Sequence, residues 1–152
     1  MSVEIANESE ITIDTARVLE LAYFVRASLK LHELVDMGIT FVDEAPMTDL
    51  HVKWMDEPGS TDVLSFPMDE LRPGNDRSIS PEGILGDIVV CPQVAIRQAK
   101  TAGHETINEV LLLVTHGMLH LVGFDHAEPD EEREMFDLQK NLLAEFHEKE
   151  NS

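Results

Sequence analysis

Three histidines, His116, His120 and His126, recur at i, i+4 and i+10 in the stretch His116-Gly117-Met118-Leu119-His120-Leu121-Val122-Gly123-Phe124-Asp125-His126. On a helix, positions i and i+4 share a face about one turn apart, so His116 and His120 aim at one point. Gly123 falls where such a helix stops, because glycine enters the left-handed conformation without steric cost. The chain then turns and returns His126 as a third ligand. Three neutral imidazoles with an open fourth position form the ligand set of a catalytic zinc. The alternatives are three separate structural histidines, or a closed structural site with a fourth ligand from Asp125, Glu128 or Asp130. Structural zinc sites favour cysteine, and the single cysteine, Cys91, lies far off in sequence.

The spacing follows the extended metalloprotease pattern H-E-x-x-H-x-x-G-x-x-H, except that Gly117 replaces the glutamate. That glutamate is the general base of those proteases. The same metal geometry is therefore expected here with different chemistry, and a peptidase is disfavoured. Asp125, beside a ligand, and Asp87 are candidates to hold a ligand's second N–H; neither is identified as the general base.

The elements that must position these residues can be read in order. Val3 and Ile5 alternate as a short strand. Asp14 caps a helix from Thr15 to about Leu31 with a stripe of Val18, Leu21, Ala22, Val25 and Leu29. Met37, Ile39 and Phe41 mark a second strand. A short helix follows, with Pro46 in its first turn and Met47, Leu50 and Trp54 on one face, broken by Pro58-Gly59-Ser60. Asp62 to Met68 reads as a third strand, where Pro67 implies an edge or an end. Residues 71–82 form a long polar loop, either a lid or substrate loop or a plain hairpin connection. Leu85 to Cys91 is a fourth strand, and Pro92 opens a helix. Thr106 and Glu109 form a capping-box pattern at the start of the histidine helix. That helix is apolar nearly all round and should be central and buried. A last helix runs from about Pro129 to Glu148, with Met135, Leu138, Leu142 and Phe146 inward. The expectation is one α+β domain over residues 1–152, with about four strands in a mixed sheet and about five helices.

With 30 acidic against 11 basic residues, the formal charge is -19. A protein that grips nucleic acid over a broad face is usually basic, so any such contact here must be local. One cysteine allows no internal disulfide, which fits a reducing compartment. The opening residues, MSVEIANESE, lack the basic and apolar regions of a signal peptide. No apolar run reaches the ~18 residues of a membrane span. A cytoplasmic protein with no membrane partner is expected.

The chain resembles the YbeY family of bacterial endoribonucleases and rRNA maturation factors. The family motif H-G-x-L-H-L-x-G-x-D-H is matched throughout by His116 to His126, T-D-V-L-S-F-P by Thr61 to Pro67, and L-G-D-I by Leu85 to Ile88. The resemblance covers essentially the whole chain. It implies one divalent metal, usually taken as zinc, on the three histidines. It also implies cleavage of single-stranded RNA, maturation of the 3′ end of 16S rRNA and a part in ribosome quality control. The implied partners are rRNA and the ribosome or its proteins, with no DNA. One departure is clear: Met55 stands where the family often has an arginine in an N-x-x-Y-R segment. Lys53 and Trp54 offer a cation and a stacking surface, or Trp54 is core and Lys53 a solvated charge.

Overall fold

In the computed structural model, residues 1–55 and 61–152 are described. The elements in chain order are β1 (Ser2–Asn7), α1 (Thr15–Ser28), β2 (Asp36–Phe41), α2 (Glu44–Met55), β3 (Val63–Pro67), β4 (Ile84–Val90), α3 (Pro92–Ala102), α4 (Thr106–Leu121) and α5 (Pro129–Glu150). The expected break at Pro58-Gly59-Ser60 lies outside the described residues.

The strands form one mixed sheet in the order β1-β2-β4-β3. β1 and β2 run parallel with Ile5 opposite Ile39, and β2 and β4 run parallel with Ile39 opposite Ile88. β3 pairs antiparallel to β4 with Ser65 opposite Ile88. β3 closes one side of the sheet, so Pro67 sits both at a strand end and on an edge, where its missing N–H breaks no ladder. Met68 lies beyond the strand and is exposed.

Alternation divides the strand residues between two cores. Ile39, Phe41, Val63, Ile88 and Val90 face the main cluster with α1, α4 and α5. Leu64, Phe66 and Val89 face a smaller cluster with Val42, Met47 and Cys91. Gly86 is required where β4 crosses β3: its φ is +134°, and a Cβ there would lie 2.1 Å from the Phe66 carbonyl oxygen. α4 packs against α1, α3, α5, β3 and β4, as its nearly all-apolar surface demands.

Four local expectations are corrected. α1 ends at Ser28 rather than near Leu31, because Lys30 takes a left-handed φ of 56°. Leu31 N–H then donates to Arg26 O at 3.1 Å and Lys30 N–H to Ala27 O at 3.1 Å, a closing turn that usually carries glycine. The capping box does not form: Glu105 is the N-cap, and the buried Glu109 carboxylate instead lies 2.9 Å from His104 Nε2. Trp54 is not core. Along α2 burial fades from Met47 to Leu50, and the indole is 59% exposed. Phe66 meets it edge-on, with centroids 6.2 Å apart, and Lys53 Nζ lies 5.2 Å from its centroid. Finally, the loop at 71–82 is tied to the end of α1, by Gly74 N–H to Leu29 O at 2.9 Å and Ser80 N–H to Lys30 O at 2.9 Å. It does not line the histidine cleft; Arg72 and Pro73 approach the ligand turn, the Arg72 guanidinium lying against Gly123.

Candidate metal centre

His116 and His120 project from the last turns of α4, whose Gly117 is pressed between them against the sheet. A Cβ at Gly117 would lie 3.0 Å from Ile88 Cγ2 and 3.2 Å from Ser65 Oγ. Ser65 Oγ also donates to the Gly117 carbonyl at 3.1 Å. Gly117 is therefore the contact at which the histidine helix seats on β3 and β4. A longer side chain there would crowd Ile88 and Ser65, so steric pressure as well as sequence disfavours the metalloprotease glutamate.

α4 closes with the turn expected of its glycine. Gly123 has φ +99°, its N–H donates to His120 O at 3.1 Å, and Phe124 N–H donates to Leu119 O at 3.0 Å. The chain reverses, and Asp125 Oδ1 accepts from the His126 backbone N–H at 2.7 Å. Asp125 thus shapes the loop that carries His126 rather than holding an imidazole N–H. The result is a cluster in which one ligand atom from each of His116, His120 and His126 lies within 4.8 Å of the others.

The His116–His120 pair is spaced as ligands of one tetrahedral cation would be. His116 Nε2 and His120 Nε2 are 3.1 Å apart. Two nitrogens about 2.0–2.1 Å from a tetrahedral zinc would be about 3.3 Å apart. The tautomer also suits a ligand: His116 Nδ1 lies 2.8 Å from Gln139 Oε1, so Nδ1–H donates and Nε2 keeps its lone pair for the centre. Burial, the largest influence, holds His116 below the ordinary histidine pKa, and His126 adds to this, while Gln139 and Asp62 oppose it. Burial, then His116 and His126, hold His120 low too. Both imidazoles are therefore neutral at pH 7 and available to a metal. Phe136 of α5 stacks on His116, with centroids 5.8 Å apart and planes 20° apart, and further limits ring motion.

The histidines open on a cleft of about 440 Å³ walled by β3 (Val63, Leu64, Ser65 and Pro67), with Thr61, Asp62 and Met55 at its margin. Among the described residues no carboxylate joins the histidine cluster, so neither Glu128, Asp130 nor Asp125 closes it as a fourth ligand. Asp87 is on the wrong side. Ile88 is turned into the core against Gly117, so its neighbour Asp87 points from the opposite face, exposed, with Oδ1 against Gly38. It does not act on the histidines.

Sequence reasoning missed Gln139, Phe136 and Asp62. Gln139 had a signal: it is a polar residue on the inward stripe of α5, between Met135 and Leu142, and such a buried amide needs a partner. Among the described cleft residues the carboxylate is Asp62, with Oδ1 accepting from Val63 N–H at 2.7 Å and Oδ2 from Gln98 Nε2 at 3.2 Å.

A mixed sheet backed by a buried helix that ends in three convergent histidines defines an α+β domain able to hold one metal ion. A sequence model of the family described as Endoribonuclease YbeY matches residues 4–147. A Beutenbergia cavernae protein named Endoribonuclease YbeY is 62% identical over 146 residues, covering 96% of this chain and 97% of the relative. One of the same name from Thermobifida fusca is 59% identical over 144 residues, 95% of this chain and 93% of the relative. The solution structure of a Thermotoga maritima protein superimposes with a TM-score of 0.65 at 25% identity, covering 98% of this chain and 91% of that one. The chain belongs to the YbeY endoribonuclease family.

Proposed function

We propose that this chain is a metal-dependent endoribonuclease that cleaves single-stranded RNA, with His116, His120 and His126 holding one divalent cation, zinc. The observation that carries the reading is the His116–His120–His126 cluster, with His116 set by Gln139 as a neutral Nε2 ligand, opening on a cleft. Membership of the YbeY endoribonuclease family supports RNA as the substrate class, and we extend this to 16S rRNA 3′-end maturation and ribosome quality control in the cytoplasm. Imidazole donors without thiolate favour zinc over the hard cations that prefer oxygen.

When bound, the cation supplies Lewis acidity toward a phosphoryl oxygen and lowers the pKa of water toward about 7. The protein's own residues do the rest. α4 and its closing turn fix the direction of the imidazoles. Phe136 and Gln139 restrain His116. β3 walls the cleft beside the histidines, and Asp62 provides a carboxylate in its lining, held by Val63 N–H and Gln98 Nε2. The absence of a glutamate at Gly117 removes the peptidase base.

The test is purified protein with a labelled single-stranded RNA, run beside His116→Ala and a chelator-stripped sample. Cleavage by the wild type, lost in both controls and restored to the stripped protein by zinc, is expected. Cleavage that survives chelation and His116→Ala comes from a contaminating nuclease, and leaves a ribosome-assembly factor with a structural metal as the better reading.

A further inference from the structure

We infer that Trp54 is a nucleobase-stacking residue, taking one base of a single-stranded RNA whose adjoining backbone enters the histidine cleft. The inference rests on the endoribonuclease reading above and names how that site holds its substrate. Trp54 is the only tryptophan of the chain, and its ring is 59% exposed. A tryptophan is on average highly buried, so an exposed indole calls for an explanation. Its place supplies one. The next residue, Met55, lines the histidine cleft. The ring is braced edge-on by Phe66 at 6.2 Å; Phe66 belongs to the edge strand β3 but faces the smaller cluster, away from α4. The indole therefore stands at the sheet edge, one residue from the cleft and outside its lining.

Charge points to the same occupant. The chain carries -19, so it cannot hold RNA by a wide array of phosphate contacts. Stacking adds affinity without charge and tolerates any base, because every base has a π-face. Lys53 supplies a local cation over the ring. Its Nζ lies 5.2 Å from the indole centroid in a cation–π contact, and a base stacking on that face displaces it toward the nucleotide's phosphate. An aromatic platform with one neighbouring lysine can hold a nucleotide with no further cation at Met55. Because α2 buries only Met47, a change at this exposed end removes little beyond the Trp54–Phe66 contact.

The sole tryptophan makes the test direct, since indole emission reports on Trp54 alone. The full chain is titrated with a single-stranded 2′-O-methyl oligoribonucleotide, which binds without being cut, and binding is followed in parallel by anisotropy of a labelled oligomer. Emission should be quenched along the same binding curve. Trp54→Ala should weaken binding about tenfold or more, and Trp54→Phe should restore most of it. In cleavage assays Trp54→Ala should raise KM far more than it lowers kcat, with an unchanged melting temperature. The inference is overturned if the wild type binds and cuts RNA while its emission stays fixed, or if Trp54→Ala binds RNA normally; the endoribonuclease reading then survives. It is also overturned if ribosomal proteins quench the emission and RNA does not, which would make this sheet edge a protein-binding surface. A wild type that neither binds nor cuts single-stranded RNA removes the endoribonuclease reading itself, and this inference with it.

Discussion

Gln139 Oε1 accepts the His116 Nδ1 proton at 2.8 Å, across the packed faces of α5 and α4. This bond connects the fold to the site. It selects the tautomer that leaves His116 Nε2 free, and it makes the seating of α5 a condition for a well-aimed ligand.

Removing that acceptor while keeping the volume isolates its effect. Gln139→Leu should leave the melting temperature of the metal-free protein nearly unchanged and weaken zinc binding about 10–100-fold. Competition against a chromophoric chelator measures it. Unaltered affinity would show that the bond only supports packing.

The helix seat at Gly117 predicts that protease chemistry cannot be installed by restoring the motif. Gly117→Glu forces a carboxylate toward Ile88 and Ser65 in a buried position. An unpaired buried charge costs about 3–5 kcal/mol, so the variant should melt far below the wild type. Neither protein should show zinc-dependent digestion of casein, and digestion by the wild type would reverse the ranking of functions.

Metal binding should follow the titration of His116 and His120. Burial depresses both, so each stays neutral to a lower pH than an exposed histidine does. Proton competition for the site should therefore set in below the ordinary histidine range. Zinc affinity measured from about pH 7.5 to about pH 4.5 checks this; loss already near pH 7 would contradict it.

A second pH effect lies far from the site. Arg17 Nε and Glu150 Oε2 pair at 2.9 Å, joining α1 to the end of α5. The bond to Arg17, and secondarily that to His147, holds the Glu150 carboxyl below its ordinary value. A depressed carboxylate stabilises the fold above its unfolded pKa, and that contribution is lost as pH falls through the folded value. Wild-type and Glu150→Gln melting temperatures should differ at about pH 7 and converge at about pH 3, with a difference of about 1 kcal/mol or less for a partly exposed pair.

RNA binding should depend only weakly on salt. With Met55 at the cleft and Lys53 as the cation beside Trp54, about one to three phosphates are neutralised, a slope of about -0.7 to -2 in log affinity against log salt. A steep slope would reveal a basic face on this molecule.

Much of this was legible in the residues themselves. The histidine spacing and Gly123 carry the whole local geometry of the ligand turn, because helix periodicity and glycine's left-handed freedom are properties of a short segment. The apolar wrap of residues 107–122 likewise marks α4 as central. Other features depend on which surfaces meet. The left-handed Lys30 is held by its packed neighbour Leu31, not by its own preference, so the end of α1 was unreadable. Trp54 follows Met47 and Leu50 at helical spacing, which reads as core, but only the placement of α2 on the sheet shows that its last turn stands clear of it. Asp87 is adjacent in sequence to residues that touch the histidine helix, and strand alternation turns it to the other face once Ile88 is seated on Gly117. Gln139, 23 residues from His116, becomes its partner only through the packing of α5 on α4. A short segment can encode the direction of a ligand; the partner of that ligand's second nitrogen comes from another element, and only the packed structure brings the two together.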